Sequence, residues 1–220
     1  MVEITPIFAT PFAVVPVAGA ADLNPALAAL FRARADEQHR DRASPDDPRC
    51  FRGREDLFDW SEPATLALRQ ALLGGACAAV MAANALSVAE FDALGVQARA
   101  RFVIVRPDGC LPAATVPMAS WYALYCVAAP AAGAAARAES AVLRLYAVRH
   151  AGMFVDASNW NLRPPFGTAH HVWRPVPGQM AVFPGATAHE VALNRTAEEL
   201  LLVAARLRFA SAGQPSAPPW

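Results

Sequence analysis

The sequence predicts a mainly β protein, a jelly roll with α-helices of its N-terminal part packed on one side. Three observations carry that prediction. Before about residue 95, apolar residues recur at helical spacing. From Ala98 onward they gather instead into short runs bounded by turn residues. The stretch from Trp173 to Val191 then sets two turn dipeptides, Pro177-Gly178 and Pro184-Gly185, around one short apolar run.

Each element follows from its own residues. Ile4 to Val17 alternates apolar residues with Thr5-Pro6, Thr10-Pro11 and Val15-Pro16. Proline withholds a ladder donor, so this stretch belongs at a sheet edge or in an extended arm. Asp22 is the expected cap of a first helix, with Pro25 in its first turn and Leu23, Leu27, Leu30 and Phe31 on its apolar face. His39 to Arg54, rich in Asp, Arg and Pro, reads as a surface loop. Asp59-Trp-Ser-Glu-Pro63 opens a second helix, capped by Ser61 or Asp59 and running to about Leu86. Gly74-Gly75 within it marks a break or a close packing contact. Ser87-Val-Ala-Glu90 has the spacing of a capping box, and Gly95 keeps that third helix short.

Strands are expected at Ala98–Val105, Ser120–Ala128, Ala141–Val148, His170–Arg174, Gln179–Phe183, Glu190–Leu193 and Leu200–Phe209. Several short strands at this spacing indicate a sandwich or barrel. The Trp173–Val191 stretch reads as a hairpin that brings His189 to the barrel mouth, where an imidazole can hold a metal. One domain over residues 1–210 is expected, followed by a loose Pro-, Ser- and Ala-rich tail over 211–220.

Composition bounds the function classes. All 19 basic residues are Arg, matched by 19 acidic ones. The arginines are dispersed along the chain with no basic run, so no nucleic-acid partner is expected. Cys50, Cys77, Cys110 and Cys126 form no CxxC pair and read as free thiols. The N-terminus has Glu3 and prolines but no basic n-region, which argues against a signal peptide. The longest apolar stretch, Ala64 to Leu86, is interrupted by Arg69, Gln70, Gly74-Gly75 and Asn84, so no membrane span is expected. A cytoplasmic protein is the expectation, homo-oligomeric association being left open.

The order of these pieces resembles that of the bacterial 2-oxoglutarate/Fe(II)-dependent oxygenases. Ile4-Thr-Pro-Ile-Phe-Ala-Thr-Pro is similar to the family's opening strand, and Arg54-Glu-Asp-Leu-Phe-Asp-Trp with Pro63 to its pre-helix segment. Ser120-Trp-Tyr-Ala-Leu-Tyr-Cys-Val resembles the strand after the first metal motif. Pro177-Gly-Gln-Met-Ala-Val-Phe-Pro-Gly with His189-Glu-Val resembles the segment of the last ligand. The resemblance implies a double-stranded β-helix, cupin-like. It also implies Fe(II) held by a His-x-Asp or His-x-His motif and a later His. A basic residue on the last strand then grips the far carboxylate of 2-oxoglutarate.

Carried over residue by residue, the pattern is incomplete. The first motif lands on Ala114-Thr115-Val116, and Leu111 to Trp121 contains no His, Asp or Glu. His189 alone keeps a ligand position. The 2-oxoglutarate anchor falls near Leu200, within Glu199-Leu-Leu-Leu-Val. Arg206 shares Leu200's face but lies six residues on, about 20 Å along an extended strand.

The resemblance therefore implies an oxygenase-like barrel with a degenerate metal motif and no assigned catalytic residue. It would serve as a binding or partner subunit for a protein or a small-molecule carboxylate, needing no cofactor, with Ala114, Val116 and Leu200 filling the pocket. The alternative is an active oxygenase, or another metal-dependent cupin-like enzyme, using Fe(II) and 2-oxoglutarate with relocated ligands. His189 would then be joined by His171 or His150, and Arg149 or Arg206 would bind the carboxylate. His170 and His171 point to opposite faces of an extended strand, so only one of them can join His189.

Overall fold

The two longest strands described build the centre of the structure. In the computed structural model, which describes residues 9–44, 47–131, 139–147 and 170–211, strand β10 (Leu200–Ala210) pairs along its whole length with β3 (Gly95–Val105). Its other edge pairs with β5 (Trp121–Ala128). Around them forms a sheet of six strands in the order β1-β8-β5-β10-β3-β2, where β1 is Ala13–Pro16, β2 Cys50–Arg52 and β8 Gln179–Pro184. A second sheet has the order β4-β9-β6-β7, from Leu111–Ala114, His189–Val191, Leu143–Tyr146 and His170–Trp173. All pairings are antiparallel. From β3 onward the chain passes between the two sheets at nearly every connection, which is the jelly-roll winding of a double-stranded β-helix.

Among the described residues three α-helices complete the fold, and α1 and α2 cover the outer face of the larger sheet. Helix α1 (Ala20–Ala33) starts earlier than its sequence suggests. Gly19, at φ +71°, turns the chain, and its carbonyl accepts from the N–H groups of Asp22 and Leu23 at 3.2 and 3.1 Å. Asp22 therefore lies in the first turn rather than at the cap. Helix α2 (Pro63–Ala82) is capped at Glu62 without a side-chain bond, so neither Ser61 nor Asp59 serves. Gly74-Gly75 does not break it; a Cβ on Gly75 would lie 2.8 Å from the Met180 methyl, which makes it a close packing contact. The helix stops at Ala82, four residues short of Leu86, and Asn84 Nδ2 donates to the Val80 carbonyl at 2.8 Å. Helix α3 (Val88–Asp92) has both bonds of the expected Ser87/Glu90 capping box.

By length and composition α2 is apolar enough to cross a bilayer, against the expectation from its interruptions. Here it lays Thr65, Leu68, Leu72, Ala76 and Val80 inward. This helix-side core also contains Leu27, Phe31, Phe51 and Phe102, with Phe31 and Phe51 stacked on Phe102 at 4.8 and 5.2 Å between ring centroids. A second core lies between the sheets, built from Val103, Val105, Leu143, Trp173, Phe183, Leu200 and Leu202.

Three further expectations change. Cys50–Arg52, inside the stretch read as a surface loop, is an edge strand paired to Val105–Val103. Strand β4 had no sequence signal, being four residues with a proline, and exists only through its pairing with β9. The Trp173–Val191 stretch is not a paired hairpin: β8 joins the larger sheet and β9 the smaller. The proline-rich N-terminal stretch does end at a sheet edge, as β1 beside β8.

Candidate functional site

The smaller sheet sets its site residues in one cross-strand row. Leu145 on β6 is opposite His171 on β7 and His189 on β9, and His189 is opposite Ala114 on β4. Residues opposite one another in a ladder share a face. Leu145 belongs to the inter-sheet core, so His171, His189 and Ala114 all lie on the barrel's inner side. His171 and His189 flank Leu145 from two strands apart, a backbone separation of about 10 Å. His150 and Arg149, the other candidates from the sequence, lie outside the described residues.

His189 is held in a defined state. Its Nδ1 donates to the Thr187 carbonyl at 2.9 Å, which leaves Nε2 as the ring's acceptor. The ring packs against Tyr122 and Phe183, each 5.0 Å away between centroids. Burial pushes its pKa down, outweighing the Thr187 bond, so the neutral form is favoured. Burial likewise pushes the Tyr122 phenol up to about 12, keeping it protonated. His171 is exposed and meets Phe12 edge-on at 4.8 Å. Phe12 in turn stacks on Phe183 at 6.3 Å, so an aromatic chain runs from one imidazole to the other.

The pairing of Ala114 with His189 locates the metal motif implied by the resemblance. Its first position carries a methyl group, directly across from the surviving imidazole. Val116 follows in the loop after β4, where its N–H donates to the Gly185 carbonyl at 2.8 Å. That docking needs glycine, because a Cβ on Gly185 would lie 2.5 Å from the Ala119 carbonyl oxygen and 3.1 Å from that of Val116. Ala114 is exposed and fills nothing, contrary to the expectation that it plugs the pocket. Leu200 and Leu202, both fully buried, do the filling. Among the described residues no three His, Cys, Asp or Glu side chains come together so as to hold a metal ion. The donor set of the described residues does not fit an Fe(II) centre.

Arg206 lies six positions along β10 from Leu200, on the inner face that the two share. It is the ladder partner of Tyr122 on one side and of Arg99 on the other, so it lies on the inner face near His189's aromatic support. Its guanidinium is paired with Glu55, whose other oxygen pairs with Arg101. Arg101 also holds Asp41 at 2.5 Å. Burial and the neighbouring Arg101, Arg208 and Arg99 charges pull the Arg206 pKa down, against the opposing pull of Glu55. Arginines scattered along the sequence are thus gathered in space. The strand register shows this, and no spacing rule in the sequence does.

No family model matches the chain, and no curated protein matches it. Solved structures do. A Pseudomonas putida prolyl-4-hydroxylase is 18% identical with a TM-score of 0.57, covering 93% of this chain and 94% of its own. AviO1 from Streptomyces viridochromogenes is 16% identical with a TM-score of 0.58, over 96% and 94% of the two chains. HygX from Streptomyces hygroscopicus, solved with nickel and 2-oxoglutarate bound, is 14% identical with a TM-score of 0.56, over 93% and 84%. Sheet order, helix placement and these neighbours agree: the chain has the jelly-roll fold of the 2-oxoglutarate/Fe(II)-dependent oxygenases.

Proposed function

We propose that this chain is an oxygenase-fold protein without oxygenase chemistry, a binding subunit whose barrel interior is packed with side chains. The observation that carries the reading is Ala114 standing opposite His189. The segment implied to supply two metal donors carries a methyl group on β4 and an isopropyl group in the loop that follows, and one neutral imidazole does not retain Fe(II). Leu200 and Leu202 support it from the other end, since they occupy the inner face where a 2-oxoglutarate anchor is implied. Among the described residues no basic side chain stands at that place to pair with the far carboxylate of the cosubstrate.

The test is metal content and turnover. Protein purified from iron-replete cells is expected to carry well under stoichiometric iron and to form no succinate from 2-oxoglutarate. Stoichiometric iron that is lost in His189→Ala, together with succinate formation, would overturn the reading. A second reading, a metal enzyme with relocated ligands, is favoured by one feature. The Thr187 carbonyl fixes Nδ1–H and leaves Nε2 directed for ligation, as second-shell bonds do in metal sites. It requires His171→Ala to weaken Co(II) binding as much as His189→Ala does.

A further inference from the structure

Beyond β2, at the edge of the larger sheet, the chain folds back into a short pinned turn. Around the isolated bridge Arg40–Gly53, the Asp41 N–H donates to the Arg52 carbonyl and the Arg54 N–H to the His39 carbonyl, each at 2.9 Å. Asp41 then ties down the residues that follow it. Its Oδ1 accepts from the Ala43 N–H at 3.0 Å, and its Oδ2 accepts from Ser44 Oγ at 3.0 Å. Its carbonyl accepts from the Ser44 N–H at 3.1 Å. Arg101 on β3 holds the same carboxylate at 2.5 Å. The backbone on both sides of Arg42 is thereby fixed to the sheet, while the Arg42 side chain is exposed.

This turn and Arg54 enclose a cavity of about 450 Å³, lined by Gln38, Arg40, Asp41, Arg42 and Arg54. Its volume falls within the range of small-molecule sites, about 300–1,000 Å³. Such sites are mostly apolar with a few polar groups, whereas this wall offers three guanidinium groups, a carboxamide and one carboxylate. The groups differ in what they already hold. Asp41 is taken up by Arg101 and by its own turn. Arg40 is committed to Glu37, whose Oε1 lies 2.7 Å from its Nε, and it covers the Phe51 ring at 5.0 Å. Arg54 spends Nε on Asp56 at 3.3 Å and Nη1 on the Gln38 carbonyl at 3.4 Å. Among the described residues no acid pairs with Arg42.

We propose that this cavity binds a phosphate group, free or as the monoester of a small polar molecule, through the guanidinium groups of Arg42 and Arg54 and the Gln38 carboxamide. A guanidinium fork offers paired N–H donors to two phosphate oxygens, and here two forks come from separate segments of backbone held in one register. A cation is disfavoured, because the cavity's one carboxylate is already paired with Arg101. A phosphate ion needs the room of only a few waters, each about 30 Å³, which leaves space for an esterified group. The cavity lies beside the edge strand β2 and not in the barrel interior, so the proposal goes beyond the reading as a binding subunit and does not depend on it.

The test uses the full chain, with calorimetric titration and unfolding temperature against inorganic phosphate and, separately, glycerol 3-phosphate, at ionic strength held constant with sodium chloride. Wild type is expected to bind at least one of them and to melt higher in its presence. Tighter binding of glycerol 3-phosphate identifies an ester as the source, and tighter binding of inorganic phosphate the free ion. Arg42→Gln and Arg54→Gln are each expected to weaken binding about fivefold or more, the loss of one charge-assisted contact at a site open to water. Arg32→Gln removes an exposed charge on α1, outside the cavity, and is expected to leave binding unchanged. Should Arg54→Gln fail to fold, the exposed Arg42→Gln decides. The proposal is overturned if neither compound binds, if Arg42→Gln binds as tightly as wild type, or if Arg32→Gln weakens binding as much as Arg42→Gln does. Iron and turnover measurements do not enter this result, so it fails or stands apart from the metal test.

Discussion

Replacing Leu202 by alanine asks whether the barrel interior is filled or hollow. Leu202 is fully buried in the inter-sheet core, on the inner strand β10, flanked by its ladder partners Val103 and Cys126. The substitution deletes three carbon atoms. At about 0.8 kcal/mol per buried methylene the lost transfer energy is roughly 2.4 kcal/mol. A residual cavity adds to this, because flanking strands collapse only partly, giving a total of about 3 kcal/mol. For a chain of this size each kcal/mol moves the melting point by about 2–4 °C, so the expected fall is roughly 6–12 °C. Urea and thermal unfolding followed by circular dichroism would measure it. A cost below about 1 kcal/mol would refute the reasoning, because surface truncations cost that little. Leu202 would then line a space already open, as a cosubstrate pocket requires.

Two further outcomes are expected. The His189 pKa is pushed down by burial, so the unfolded chain binds its proton more readily than the folded one. Its stabilising contribution is full above the unfolded value of about 6.5 and is lost as pH falls from there toward the lowered folded value. Wild type should therefore lose melting temperature between pH 7 and 5, and His189→Asn should lose less; equal losses would discard the assignment. Tyr125, fully buried on the helix side, donates to Asn24 Oδ1 at 2.6 Å and so ties α1 to β5. Tyr125→Phe should cost about 1 kcal/mol in chemical denaturation, and no change would mean that solvent takes over the bond.

Much of the fold was legible because it rests on local periodicity. The apolar runs of β5, β8 and β10, the Ser87 capping box and the proline-rich edge strand each follow from residues within a few positions of one another. Elements that depend on a distant partner were not legible. Cys50-Phe51-Arg52 sits in a polar stretch and becomes a strand only because β3 offers an open edge. Strand β4 has no period of its own and is defined by β9. The apparent hairpin failed for the same reason, since turn dipeptides show where the chain bends but not which sheet takes the next strand.

The candidate site divides in the same way. By itself the sequence determined which side chains are available: one His in a ligand position, Ala114 and Val116 where donors are implied, and no Lys among its basic residues. Chemistry of that kind is a property of residue type and needs no coordinates. Only the tertiary structure decided what stands next to what. It put Ala114 across from His189, set Leu145 between the two imidazoles, and brought Arg99, Arg101, Arg206 and Arg208 together with Glu55. Register is the physical reason: a shift of one residue in β10 would turn every one of its arginines to the other face of the sheet. That register is set by burying Leu200, Leu202 and Ala204 on one side and Leu201, Val203 and Ala205 on the other.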